Sequence, residues 1–208
     1  MRIARTIWKH EVKQADEIVC SLLERKSEKS GWKKLLLPLL LSEYLLFRRK
    51  HKLTRKNLLF TKLLAFKAAR EIFQGKPRAE ELRFIEIETK KLLEQEKTGF
   101  YTEKIRRKQL QEIELLVDHY LGLFNSNRAK FPEMLKASYQ SSENYLNFLS
   151  KLHRAEQEVI QATISTMRKG SKQERASWFK KLQDTCNTIR MREAEKLFPE
   201  NMAKTSSG

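Results

Sequence analysis

The segment from Trp32 to Phe73 constrains the fold more than any other, because it places two apolar runs on either side of a cationic one. The first run, residues 35–47, is apolar on every helical face except at Ser42 and Glu43. A helix of that kind requires burial on all sides, in a protein interior or in lipid. As a helix, residues 35–47 would be roughly 20 Å long, whereas a helix that spans a membrane must cross roughly 30 Å of hydrocarbon. The run therefore predicts a buried or interfacial helix.

A cationic segment with the sequence RRKHKLTRK, residues 48–56, joins this run to a second apolar one, residues 58–73. The second run has the spacing of an amphipathic helix with a basic polar face, ending at Gly75 and Pro77. We predict a helical hairpin over residues 32–73, with the cationic segment at its tip. Two environments remain open for this hairpin: a bilayer interface, where its lysines reach the headgroups, and the centre of a soluble bundle.

The composition favours helix along the whole chain. Six glycines and four prolines among 208 residues are few, while leucine, lysine and glutamate are abundant. Apolar residues recur at three- and four-residue spacing, and no segment shows the alternation of a strand. We predict an all-α multi-helix bundle of about seven helices, forming a single domain over residues 1–200, with a disordered tail over residues 201–208.

Local signals mark some helix ends. Thr102 is placed to cap a helix with Glu103 in its first turn. Pro132 suits an early position of a short helix. Ser171 and Glu174 have the spacing of a capping box before the last helix.

The net charge of +17 is concentrated in one part of the chain. Residues 35–78 contain 11 basic and 2 acidic residues, which is more than half of the excess. A basic patch beside apolar surface favours anionic lipid, and one without it favours nucleic acid. Cys20 and Cys186 lack CxxC spacing, and residues 1–14 lack an apolar signal region. Both features predict a reduced, cytoplasmic setting.

We therefore predict a non-enzymatic adaptor or scaffold that lies peripherally on an anionic membrane, at its inner face. The residues predicted to insert their apolar side chains are Trp32, Leu36, Leu40, Leu45, Phe47, Phe60 and Leu64. The residues predicted to contact lipid headgroups are Arg48, Arg49, Lys50, Lys52, Arg55 and Lys56. Insertion and charge together supply the two signals that stable anchoring needs. A protein partner or a homo-oligomer is compatible with the remaining surface.

The alternative is a soluble basic protein that binds nucleic acid or assembles with other proteins. Arg48 to Lys56 and Arg106 to Lys108 could contact phosphates. The sequence lacks zinc-finger spacing, an aromatic RNA-binding strand motif and a convincing helix-turn-helix. Lipid is therefore the favoured partner and nucleic acid the second.

A polar cluster of Glu112, His119 and Glu156 gives a third, weaker hypothesis. Glu112 and His119 are seven residues apart on one helical face, and Glu156 interrupts an apolar stripe. Carboxylates and an imidazole on facing helices can form a metal or acid-base site, but such groups more often hydrogen-bond to fix helix register. The chain has no phosphate-binding glycine loop and no nucleophile motif. We predict no cofactor and favour a non-enzymatic protein.

Overall fold

In a computed structural model, the described residues are 2–23, 37–97, 101–166 and 172–199, and they form seven α-helices and no strand. The all-α multi-helix bundle is confirmed. The helices are α1 (Arg2–Leu23), α2 (Leu37–Phe73), α3 (Arg78–Gln95), α4 (Glu103–Asn125), α5 (Phe131–Tyr139), α6 (Ser142–Thr166) and α7 (Lys172–Leu197).

Three predicted helix ends are confirmed by the backbone chemistry around them. The Thr102 hydroxyl accepts a hydrogen bond from the Ile105 amide at 3.4 Å, which caps α4. Pro132 lies in the first turn of α5, where a missing amide donor costs little. Gly75 follows α2 with φ of 102°, a left-handed conformation that glycine adopts without a Cβ penalty. The predicted capping box at Ser171 and the tail 201–208 lie outside the described residues.

The helical hairpin predicted for residues 32–73 is wrong, because residues 37–73 form one continuous helix, α2. Between Pro38 and Gly75 the sequence contains neither glycine nor proline, and the cationic segment consists mainly of lysine, arginine and leucine, which favour helix. Nothing in the segment therefore breaks the backbone hydrogen bonds. With 37 residues, α2 is roughly 55 Å long. None of the helices in the described ranges combines the length and apolar character that crossing a bilayer requires.

Five helices form a closed ring in which each packs on the next: α1 on α2, α2 on α4, α4 on α6, α6 on α7, and α7 on α1. The two other helices lie against this ring, α3 on α2 and α4, and α5 mainly on α4. The ring interior contains a large apolar cluster, which includes Ile7, Phe66 and Leu197. It also contains a smaller cluster, formed by Ile18, Leu22, Cys186 and Ile189.

Polar side chains of the ring helices are buried beside these apolar clusters and form what we call the polar layer. The ring helices contribute its buried or half-buried members: Glu11 and Gln14 of α1, Thr61 and Lys62 of α2, Glu112 and His119 of α4, Glu156 of α6, and Arg190 and Glu193 of α7. Buried charges are costly unless they are paired, so the arrangement of this layer decides whether the ring is stable.

Candidate functional site

The outward face of α2 carries exposed cations, which we call the basic stripe: Arg49, Lys52, Lys56 and Lys67. At 100° per residue these positions lie within about 60° of one another around the helix axis. The other α2 cations whose side chains are described, Arg55, Lys62 and Arg70, form ion pairs with carboxylates. The stripe residues form no ion pair with any side chain of the described part of the chain. Leu53 lies at the edge of the stripe, within about 100° of each of its residues around the helix axis, and is 59% exposed.

The structure distributes the predicted membrane-binding residues over different environments. Arg49, Lys52 and Lys56 are exposed on the basic stripe. Arg55 is instead paired with Asp16 of α1 at 2.5 Å. Phe60 is half-buried, and Leu64 packs against the large apolar cluster. Trp32 and Leu36 lie outside the described residues, as do the side chains of Leu40, Leu45, Phe47, Arg48 and Lys50.

In the polar layer, Lys62 connects α2 to α1. Its Nζ donates to Glu11 Oε2 at 2.6 Å and to Gln14 Oε1 at 3.2 Å, and both partners are buried. Burial opposes ionisation of Glu11, but the Lys62 ammonium outweighs burial and lowers the carboxyl pKa to about 2. Gln14 Nε2 then donates to Glu193 Oε2 of α7 at 3.0 Å. One buried lysine therefore links three helices of the ring.

Arg190 of α7 makes a bidentate pair with Glu156 of α6. Its two terminal nitrogens donate to the two carboxylate oxygens at 2.7 and 2.6 Å, and Arg190 is only 4% exposed. Burial raises the pKa of Glu156, and the guanidinium lowers it by more, so that the carboxyl stays ionised. The planar guanidinium matches both carboxylate oxygens, which makes this the strongest kind of ion pair available to a side chain.

Glu112 is the buried carboxyl of the polar layer that has no cation at ion-pair distance among the described residues. It accepts a hydrogen bond from the Thr61 hydroxyl at 2.7 Å. Burial, followed by repulsion from the nearby Glu156 carboxylate, raises its pKa to about 7. Near neutral pH this group therefore exists in both protonation states.

His119 lies apart from the two carboxyl groups. Its Nδ1 and the Tyr139 hydroxyl are 2.7 Å apart and share a hydrogen bond, and its ring stacks on Phe148 with centroids 4.6 Å apart. Burial lowers the imidazole pKa to about 4, so the His119 side chain is neutral at physiological pH. Within the described ranges no group of three or more His, Cys, Asp or Glu side chains could hold a metal ion. Glu112, His119 and Glu156 therefore do not converge on one metal site.

Sequence reasoning located Glu112 and Glu156 but missed Glu11, Lys62 and Arg190, their partners and neighbours in the polar layer. A sequence signal for them exists. Each of the three missed residues has apolar residues near it at three- and four-residue spacing, as a core position would. A charged residue within such a stripe indicates a buried partner on another helix.

A cavity of about 160 Å³ opens beside Glu112, between α2, α4, α6 and α7. Most of its lining is apolar, and it includes Leu58, Val159, Phe179 and Leu182. Such a concave, mainly apolar space with a few polar groups is the usual form of a small-molecule site.

Comparisons of this chain with protein-family models, with curated proteins and with solved structures find no significant match. Function is therefore inferred from the basic stripe, the polar layer and the cavity.

Proposed function

We propose that this protein is a peripheral membrane protein that binds an anionic lipid surface through the basic stripe of α2. One observation carries the proposal: four exposed cations without ion-pair partners in the described part share one helical face with the exposed side chain of Leu53. Because α2 includes residues 37–73, most of the first apolar run, residues 35–47, lies in the same helix as the stripe and precedes it. The location that fits this chemistry is the cytoplasmic side of a membrane, at its inner, anionic face.

The expected affinity is modest. Each cation near an anionic surface contributes about 1 kcal/mol, and insertion of one leucine contributes roughly 1.5 kcal/mol. Four cations and Leu53 together give about 5–6 kcal/mol, which corresponds to a dissociation constant of roughly 0.1 mM. Binding of this strength is reversible and depends on the density of anionic lipid.

Lipid is favoured over nucleic acid because of Leu53. A phosphate backbone recruits lysine and arginine, and an exposed leucine among them adds nothing to that contact. At a bilayer interface the same leucine can enter the acyl region while its neighbours remain at the headgroups.

Flotation with vesicles tests the proposal. We expect the protein to float with vesicles of about 30% anionic lipid at low salt, and to remain at the bottom with neutral vesicles. Duplex DNA added as competitor is expected to reduce flotation only weakly. Equal flotation with neutral vesicles, or no flotation together with DNA retention that falls steeply with salt, would contradict the proposal and favour phosphate binding.

A further inference from the structure

The cavity beside Glu112 has unsatisfied polar atoms in its lining. Gln109 of α4 and Gln183 of α7 both line it. Gln109 Oε1 and Gln183 Nε2 are buried and have no hydrogen-bond partner within the described residues. Buried polar atoms are rarely left without a partner, because each costs the free energy of its lost hydration. Two such atoms in the lining of one cavity can be satisfied by a polar ligand that binds there.

The charges around the cavity indicate which polar group fits. Glu112 and Glu156 both line it, but Glu156 is neutralised by Arg190. Glu112 has only the Thr61 hydroxyl as a hydrogen-bond partner in the described part. The cavity therefore offers one uncompensated carboxyl and, one helical turn away on α4, the acceptor oxygen of Gln109. Both groups suit a donor with positive charge.

The shape and lining indicate the rest of the ligand. A cavity near 150 Å³ holds a molecule of about the size of benzene, so 160 Å³ suits one ring or a short branched chain. Trp178 and Phe179 contribute aromatic rings, and Trp178 is 40% exposed, which places it at the rim. Aromatic faces attract cations as well as apolar groups.

We propose that this cavity binds a small primary ammonium ligand with a ring-sized apolar body, whose nitrogen donates to the Glu112 carboxylate and to Gln109 Oε1. Gln183 Nε2 remains available to an acceptor on the same ligand, and the apolar body lies against Val159, Phe179 and Leu182. The inference is independent of the proposed membrane contact, since the basic stripe does not line the cavity.

Binding is expected to depend on pH through Glu112. The charged and titratable groups facing it are Lys62 of α2, Glu156 of α6, and Arg190 and Cys186 of α7. Lys62 and Arg190 are held in ion pairs. Burial raises the pKa of the Cys186 thiol to about 11, so it stays protonated. Glu112 therefore supplies the change in charge near neutral pH, and ammonium binding should strengthen as it ionises.

Calorimetric titration with 2-phenylethylammonium tests the proposal, with 2-phenylethanol and phenylacetate as neutral and anionic analogues. At about pH 8 we expect the ammonium to bind at least roughly tenfold more tightly than the alcohol, and phenylacetate not to bind. Ammonium affinity is expected to rise roughly tenfold between about pH 6 and about pH 8, as Glu112 loses its proton.

Two variants of α4 show whether ammonium binding depends on the Glu112 carboxyl or only on the net charge of the protein. Glu112→Gln is expected to bind the ammonium and the alcohol equally weakly, while Glu114→Gln, an exposed carboxyl on the same helix, should behave like the parent protein. Urea denaturation of Glu112→Gln at the same pH separates loss of the site from loss of the fold, because a variant that unfolds as cooperatively as the parent protein and no longer prefers the ammonium has lost only the site. The proposal is overturned if no analogue binds saturably, if the alcohol binds as tightly as the ammonium, or if Glu112→Gln leaves the preference intact.

Discussion

Replacing Arg190 by methionine is expected to lower the free energy of unfolding by about 3–5 kcal/mol, as measured by urea denaturation near neutral pH. The substitution leaves the Glu156 carboxylate in the polar layer without its bidentate partner. Glu156 then lies beside Glu112 with no counter-charge, and two buried carboxyls repel each other. The loss should be smaller near about pH 5, because Glu156 can then take up a proton.

Two further variants identify the cause of this loss. Adding Glu156→Met to Arg190→Met removes the unpaired charge, and the double variant is expected to recover most of the lost stability. Arg192→Met is the matched control, since Arg192 is exposed and lies 3.7 Å from Glu17, and it should cost less than about 1 kcal/mol. An Arg190→Met protein no less stable than Arg192→Met would show that the pair is not buried in solution.

Replacing Glu112 by glutamine is expected to stabilise the protein at about pH 8 by on the order of 3 kcal/mol. The folded protein holds the Glu112 proton up to a pKa of about 7, while the unfolded chain releases it near 4.5. Between these values the folded state binds more protons than the unfolded state, so stability falls as pH rises. Glutamine avoids this loss and can still accept the hydrogen bond from Thr61.

The difference between Glu112→Gln and the parent protein is therefore expected to be small at about pH 4.5 and to grow until about pH 7. His119 titrates in the opposite sense, because its lowered pKa costs stability as pH falls, but it is present in both proteins and cancels. Urea denaturation across this pH range measures the difference, with Glu114→Gln as a control that should stay flat. A variant less stable than the parent at about pH 8 would contradict the assignment of Glu112 as a buried, unpaired carboxyl.

The fold was predictable where local chemistry decides it. The helix ends at Thr102, Pro132 and Gly75 depend on capping, a missing donor and a positive φ, and each is visible in the residue itself. The course of α2 was not predictable from its apolar and basic pattern. A pattern of apolar and basic residues indicates the surroundings that a segment prefers, but not whether the chain turns within it. The absence of glycine and proline from residues 48–56 was the better indication that the helix continues.

The candidate site was predictable only in part, because partners depend on the order of helices around the ring. Glu156 could be recognised as a polar residue on an apolar stripe, but its pairing with Arg190 requires α6 and α7 to be neighbours. His119 shares a helical face with Glu112, yet its hydrogen bond is to Tyr139 and its ring stacks on Phe148. On α3, Phe84 and Ile85 are both apolar, yet Ile85 is buried and Phe84 is exposed. Adjacent apolar positions leave open which of them faces the core.

The membrane contact through the basic stripe is tested most directly by two triple variants that remove the same charge from different faces. One is Lys52→Ala, Lys56→Ala and Lys67→Ala on the stripe. The other is Arg83→Ala, Lys90→Ala and Lys97→Ala, which are exposed cations in or next to α3. Alanine keeps the helices favourable in both proteins.

Partitioning of the two variants onto vesicles of about 30% anionic lipid is the measurement. At about 1 kcal/mol per cation, the stripe variant is expected to bind roughly 100-fold more weakly than the parent protein, and the α3 variant to stay within roughly threefold of it. Equal weakening of the two variants would mean that net charge alone attracts the protein to lipid. Unchanged binding of the stripe variant would place the contact elsewhere.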